Sequence, residues 1–218
     1  MAELVIIVPV LGRPHNVRPL LTSIRRTTPG ARVLFVCDPG DEAEQRAIEA
    51  EGAEMLIVRG NYAKKINHAV QETSEPLLFL AADDLRFHPG WLEAAKAQLT
   101  EGIGVVGTND LCSDRVMAGQ HSTHSLVTRD YAELGTIDDP TRLLHERYMH
   151  EFVDDEFVQT AISRNAFAHA SDSIVEHLHP LVGKAPLDEL YSKAGRRELW
   201  GRLVYMRRRR LWRKTAPG

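Results

Sequence analysis

Cysteine is scarce in this chain of 218 residues: Cys37 and Cys112 are the only two. That excludes a disulfide scaffold and a zinc site built from cysteines, and makes a reducing, cytoplasmic compartment the expected one. Long apolar runs are missing as well. None approaches the roughly 20 residues that span a bilayer. Leu4 to Val10 is too short, and too soon broken by Pro9 and Arg13, to read as a signal peptide. Glycine-rich phosphate loops are also absent. No Gly-x-Gly-x-x-Gly follows the first apolar run and no Gly-Lys-Ser/Thr occurs, which disfavours dinucleotide oxidoreductases and P-loop NTPases.

What is present is an ordinary globular balance with an uneven charge. Hydrophobic residues make up 43% and charged residues 26%, which argues against long disorder. Up to Gly183 there are 16 Lys and Arg against 27 Asp and Glu, a net −11; from Lys184 onward the count is 11 against 3, a net +8. An acidic body suits cations or a metal-bound anion, and a basic tail suits a polyanion.

Short continuous apolar runs alternate with helical periodicity. Leu4–Val8, Arg32–Cys37, Met55–Val58 and Pro76–Ala81 have the length and composition of strands buried on both faces. Between them, Val17, Leu20, Leu21 and Ile24 recur at helical spacing, and Asp41–Ala50, Tyr62–Glu72 and Pro89–Leu99 read as helices. This alternation predicts an α/β domain with a mostly parallel central sheet flanked by helices. After Gly102 the rhythm loosens. Short strands are expected at Gly104–Gly107, Ser125–Thr128 and Ser173–Val175, and helices at Pro140–His150 and Asp154–Asn165. Leu187, Leu190, Tyr191 and Ala194 share a helical face that Leu199, Leu203 and Val204 continue, with breaks expected at Gly195 and Gly201. The division expected is a body over 1–183 and a basic helical extension over 184–218.

In open parallel sheets, ligands sit beyond the carboxyl ends of the strands. Those ends carry Pro9 to Arg13, Asp38, Arg59 to Asn61, and Asp83-Asp84. Adjacent carboxylates at the end of a buried strand gain nothing from packing; a divalent cation would draw them together, or one of them caps the next turn. Arg13 could grip a diphosphate with its planar fork. A second cluster, Phe152-Val-Asp-Asp-Glu-Phe157, serves either chemistry or the first turn of a helix, where acidic residues suit the dipole.

Taken in order, Val8-Pro9, Asp38, Asn67 and Ala81-Ala82-Asp83-Asp84 resemble a GT-A glycosyltransferase of the family 2 type. The resemblance spans roughly Leu4 to Pro180 and implies a nucleotide-diphosphate sugar as donor, UDP- or GDP-linked. It puts Pro9 and Asp38 in the nucleoside pocket and Lys65 and Asn67 near the nucleotide. Asp83 falls on the last Asp of the family's Asp-x-Asp motif, with Asp84 beside it, to meet Mn²⁺ or Mg²⁺; Ala81 stands where the first Asp would be. It also implies that Asp154 is the general base, with Asp155 in reserve, because an acceptor hydroxyl attacks the anomeric carbon only as its proton leaves. A metal-ligating histidine is implied near Glu176-His-Leu-His-Pro180: His177 first, His179 second. His121 and His124 fall in a loop where acceptor contacts lie in this fold.

The activity implied is metal-dependent glycosyl transfer, with inversion at the anomeric carbon. A nucleotidyltransferase and a catalytically silent nucleotide-sugar-binding protein are the alternatives. The basic run Arg207 to Lys214 suits an anionic membrane surface or a nucleic-acid backbone, so a lipid-linked glycan and a modified DNA base are both conceivable acceptors. Its plainer reading is a solvated terminal helix packed through Leu203 and Val204.

Overall fold

β1 (Leu4–Pro9) sends alternate side chains into two separate cores, and the rest of the architecture follows from that. The computed structural model describes residues 2–188 and 194–212. After β1 come α1 (Pro14–Thr27), β2 (Arg32–Cys37), α2 (Glu42–Ala50), β3 (Glu54–Ile57), α3 (Tyr62–Gln71) and β4 (Leu77–Leu80). Then follow β5 (Leu85–Phe87), α4 (Trp91–Lys96), β6 (Val105–Asn109), α5 (Asp114–Met117), β7 (Ser125–Thr128) and α6 (Arg129–Ala132). The chain continues through α7 (Val153–Ser163), β8 (Phe167–His177), a 3₁₀ turn at Pro180–Val182, and α8 (Ala194–Arg208).

The strands form one sheet in the order β3-β2-β1-β4-β7-β6-β8-β5. β3, β2, β1 and β4 run parallel, as do β6 and β8; β7 is antiparallel to both its neighbours, and β5 to β8. Leu4, Ile6 and Val8 pack with Val17, Leu20, Leu21 and Ile24 of α1 and with Trp91 on one face. Val5 and Ile7 pack with Ile66 of α3, Phe157 of α7 and Val204 of α8 on the other. Both faces are covered, so these strands read as unbroken apolar runs.

Three expectations need correction. Pro140–His150 is not a helix but a run of turns. Leu143 and Leu144 are buried, and Asn67 takes both backbone groups of Leu144, which holds this segment to α3. Gly195 and Gly201 do not break α8, which runs through both. Gly201 is instead a close approach: a Cβ there would collide with the carbonyl oxygen of Glu151. The last strand is longer than Ser173–Val175, because Phe167–Ala170 pairs with β6 ahead of an irregularity at which Asn109 shifts to Ile174. Of the expected helical face at the start of the extension, Leu190 and Tyr191 lie outside the described residues; Leu187 lies outside any helix and is exposed.

α8 packs on the body. Val204 is buried in the second core, Trp212 donates its indole N–H to Thr160 at 3.0 Å, and Trp200 donates to the carbonyl of Arg147 at 2.9 Å. Among the described residues, no helix is long and apolar enough to cross a membrane.

Candidate active site

The loop leaving β1 is fixed from three sides. Lys65 donates from Nζ to the carbonyl of Val10 at 2.8 Å, the Gly12 amide donates to Asp41 at 2.6 Å, and the Arg13 amide donates to Glu44 at 2.8 Å. Asp41 also caps α2 by accepting from the Glu44 amide. Glu44 is fully buried, and its Oε1 has no hydrogen-bond partner. Burial pushes its carboxyl up to about 7, with the Arg13 amide opposing and the Asp41 charge adding to the rise.

So held, the loop points Arg13 inward. Its guanidinium meets Asp84 at 2.9 Å, Asp83 at 3.3 Å and Asp188 at 2.6 Å. Burial pushes the Asp83 carboxyl up, the Asp84 charge adds to that, and Arg13 opposes both.

β5 leaves the Asp83-Asp84 turn and pairs antiparallel with β8, setting Leu85 opposite His177. The Leu178 amide donates to the Asp84 carbonyl at 2.8 Å, and the His177 amide to the Asp110 carbonyl at 2.9 Å. His177 Nε2 then lies 3.4 Å from Asp84 Oδ1. Both carboxylates of the pair meet Arg13, and Asp84, rather than the expected Asp83, is also the one beside His177. Residues two apart in an extended chain share a side, and the His179 ring centroid lies 5.0 Å from that of His177. His179 Nδ1 accepts from the Leu181 amide, which holds it to the 3₁₀ turn.

The second carboxylate cluster opens α7. Phe152 precedes it with φ at 70°, a left-handed backbone unusual for an aromatic residue and often found where a site is held in place. Asp154 Oδ2 lies 3.1 Å from His121 Nε2, and Asp155 accepts from Arg115 at 3.0 Å. Burial by itself would raise Asp154, but the His121 hydrogen bond and charge outweigh it and hold the carboxyl low. For His121 burial works downward, and Asp154 and Asp155 together carry it upward. Burial raises Asp155, with Asp154 adding to it.

Three side chains connect the clusters. Tyr62 donates to the Ala81 carbonyl at 3.2 Å and lines a cavity with Asp154; its phenol is raised by burial and then by the charges of Asp154 and Asp84. His150 stacks near Tyr62 and is lowered by burial, with both carboxylates opposing. His124 approaches the Leu80 carbonyl through Nδ1 at 3.3 Å, and its ring lies 5.3 Å from that of His177. Burial and the charge of His177 bring His124 down to about 4, against the opposing charges of Asp84, Asp110 and Asp154. Tyr62, bonded to the Ala81 carbonyl and sharing a cavity with Asp154, thus links the two clusters.

Pro9 ends β1 beside Val36, and Asp38 follows β2 half-buried, turning its carboxylate to the Gly40 amide at 3.2 Å. Lys65 sits beneath the first loop with its ammonium on Val10, and burial lowers its pKa. Asn67 is not available to a nucleotide. Its amide donates to the Leu144 carbonyl and to Glu146, and its oxygen accepts from the Leu144 amide. Tyr62 and Glu44 were not foreseen. Glu44 has the same sequence context as any acidic first-turn residue, and Tyr62 looks like an ordinary helix start.

Asp84 and His177 offer an oxygen and an imidazole nitrogen side by side, a donor pair that suits Mn²⁺ or Mg²⁺ with the remaining positions left to phosphate and water. His121, Asp154 and Asp155 also bring three donor atoms within 4.8 Å of one another. There, Asp154 is engaged by His121 and Asp155 by Arg115.

No protein-family model matches the chain, and no curated protein does. Solved structures do. Glucosyl-3-phosphoglycerate synthase from Mycobacterium tuberculosis, in complex with Mn²⁺ and UDP-glucose, matches with a TM-score of 0.66 at 14% identity over 96% of this chain and 79% of that one. Its complex with phosphoglyceric acid matches at 0.65 and 14%, over 93% and 79%. The mannosyltransferase PcManGT from Pyrobaculum calidifontis, in complex with GDP-mannose and Mn²⁺, matches at 0.62 and 16%, over 84% and 58%. At these identities the likeness carries the fold: the chain has the GT-A architecture, an α/β domain whose mostly parallel sheet is flanked by helices.

Proposed function

We propose that the protein transfers a sugar from a nucleoside diphosphate donor to an acceptor hydroxyl, with a divalent metal. The observation that carries this is the pairing of Asp84 with His177, 3.4 Å apart, joined towards Asp154 by Tyr62, which bonds the Ala81 carbonyl and shares a cavity with Asp154. The neighbours in this fold that were solved with UDP-glucose or GDP-mannose and Mn²⁺ support the donor class.

Asp84 and His177 would hold the metal, which when bound neutralises charge developing on the diphosphate leaving group. Pro9 and Asp38 border the nucleoside end. Lys65 and Glu44 keep the first loop in place, so that Arg13 lies beside the diphosphate position. Asp154, held ionised by His121, takes the proton of the acceptor hydroxyl, and inversion at the anomeric carbon follows from in-line attack. Asp155 is held back by Arg115. Asp83 balances Arg13 and keeps it inside the cleft.

One observation favours a second reading, nucleotide-sugar binding without turnover: alanines precede Asp83, so the first carboxylate of the motif is missing. Product analysis with UDP- and GDP-sugars, Mn²⁺ and a panel of acceptors separates the two. Glycosyl transfer releases free nucleoside diphosphate and yields a glycosylated acceptor, whereas binding without turnover leaves the donor intact with every acceptor. The proposal expects Asp84→Ala to lower turnover on the order of 10²-fold or more, since several kcal/mol of charge stabilisation is lost. Asp83→Ala should do less. Equal turnover in wild type and Asp84→Ala refutes the assignment.

A further inference from the structure

We infer that the outward face of α8 is a docking surface for an anionic lipid bilayer. Leu199, Leu203 and Met206, at spacings of four and three residues, fall on one line along the helix. They are 63%, 50% and 49% exposed. The opposite face is the one that packs on the body, through Gly201, Val204 and the inward Arg208. An amphipathic helix that packed only on its own domain would bury its leucines there. This one buries a glycine, a valine and an arginine, and presents its larger apolar side chains outward.

Arginines flank the stripe. Arg202 lies to one side, Arg207 to the other and Arg210 beyond its end, and all three are exposed. Apolar residues along the middle with arginines at the margins match the boundary of a membrane, where hydrocarbon lies beneath a layer of phosphate. Each arginine near an anionic surface adds to the attraction, which fades within a Debye length. A nucleic acid would engage the arginines and gain nothing from two leucines and a methionine. The basic run is thus divided: Arg208 turns inward, and its neighbours face out.

The helix also has a bearing on the cleft. α8 packs against the segment that leads into α7, where Trp200 meets Arg147, Arg197 meets Glu151 and Gly201 approaches Glu151. Three residues on from Glu151 is Asp154. A bilayer under α8 would therefore lie close to the acidic end of the cleft. The inference stands on the helix alone and does not depend on the chemistry of that cleft.

The test is co-sedimentation of the full chain with sucrose-loaded vesicles, either pure phosphatidylcholine or with about one-third phosphatidylserine, at about 0.15 M salt. Wild type should pellet with the phosphatidylserine vesicles and stay in solution with phosphatidylcholine. The double variant Leu199→Ser/Leu203→Ser, with the same charge and an unchanged melting temperature, should bind about tenfold more weakly or worse, because both side chains lose their burial in the bilayer. No enrichment on phosphatidylserine vesicles, or equal binding by the double variant, overturns the inference. So does tighter binding to a DNA duplex that the serine substitutions leave intact. A dimer that those substitutions dissolve, without vesicle binding, would assign the face to a second copy instead.

Discussion

Asp83 and Asp84 are chemically identical neighbours, and only their surroundings give them different work. Asp83 is turned to a guanidinium and Asp84 to an imidazole as well. The adjacent carboxylates were legible in the sequence; which one faces His177 was not, because that depends on the β5–β8 register. The same limit applies to Asn67, whose amide is engaged by a segment 77 residues away. At Asp154, replacement by Asn should lower kcat roughly 10²–10⁴-fold while donor binding persists, since a base is lost and the shape kept. Removing its partner by His121→Asn withdraws the group that holds the Asp154 carboxyl low. The acid limb of the kcat/KM profile should then move to higher pH, and an unmoved limb would show that His121 does not act through Asp154.

Glu44 gives a stability test of its own. Burial raises its native carboxyl to about 7, whereas the unfolded one releases its proton near the ordinary value of 4.5. The native state therefore holds more protons in that window, and the group's contribution to stability falls as pH rises from about 4.5 to about 7. The fall is on the order of 3 kcal/mol for a shift of this size. Denaturant unfolding across pH 4.5 to about 7.5 should show wild type losing stability relative to Glu44→Gln. Parallel curves would contradict the assignment.

Among the elements, α8 departs furthest from what its sequence offers. Helical spacing announced it, but glycine was read as a breaker, although here it permits a close approach. Ala is better than Gly by roughly 1 kcal/mol in an exposed helix interior. Gly201→Ala should nonetheless lower the melting temperature, because the added methyl meets the Glu151 carbonyl. The arginine run hid a second specific contact. Arg208 meets Glu156 at 2.7 and 2.8 Å and Asp138 at 2.6 and 2.9 Å, and Tyr148 donates to Glu156 at 2.7 Å. Arg208→Ala strands the buried Glu156 carboxylate and should cost roughly 3–5 kcal/mol in denaturant unfolding. Arg207→Ala, on the exposed side, should cost well under 1 kcal/mol. Equal effects from the two would mean that α8 is not anchored as described.

For the whole molecule, the parallel half of the sheet was written most plainly. β1, β2 and β4 are short apolar runs separated by helices, and burial on both faces forces that pattern; β3, at the sheet edge, is only half-buried. The other half was harder to read. β5 has three residues, β8 is interrupted by the polar Ser171–Ser173 at its irregularity, and the turns at 140–150 are shaped by contacts with α3 rather than by their own periodicity. The proposed site takes Asp84 from the legible half and Asp154, His121 and His177 from the other. Thermal unfolding with UDP- and GDP-sugars, with and without Mn²⁺, on wild type and Asp84→Ala tests that convergence most directly. The account predicts that one donor at about 100 times its dissociation constant stabilises wild type by about 2.7 kcal/mol when Mn²⁺ is present, and that Asp84→Ala loses most of this gain. A wild type that no nucleotide sugar stabilises, or an Asp84→Ala variant stabilised equally, would contradict it.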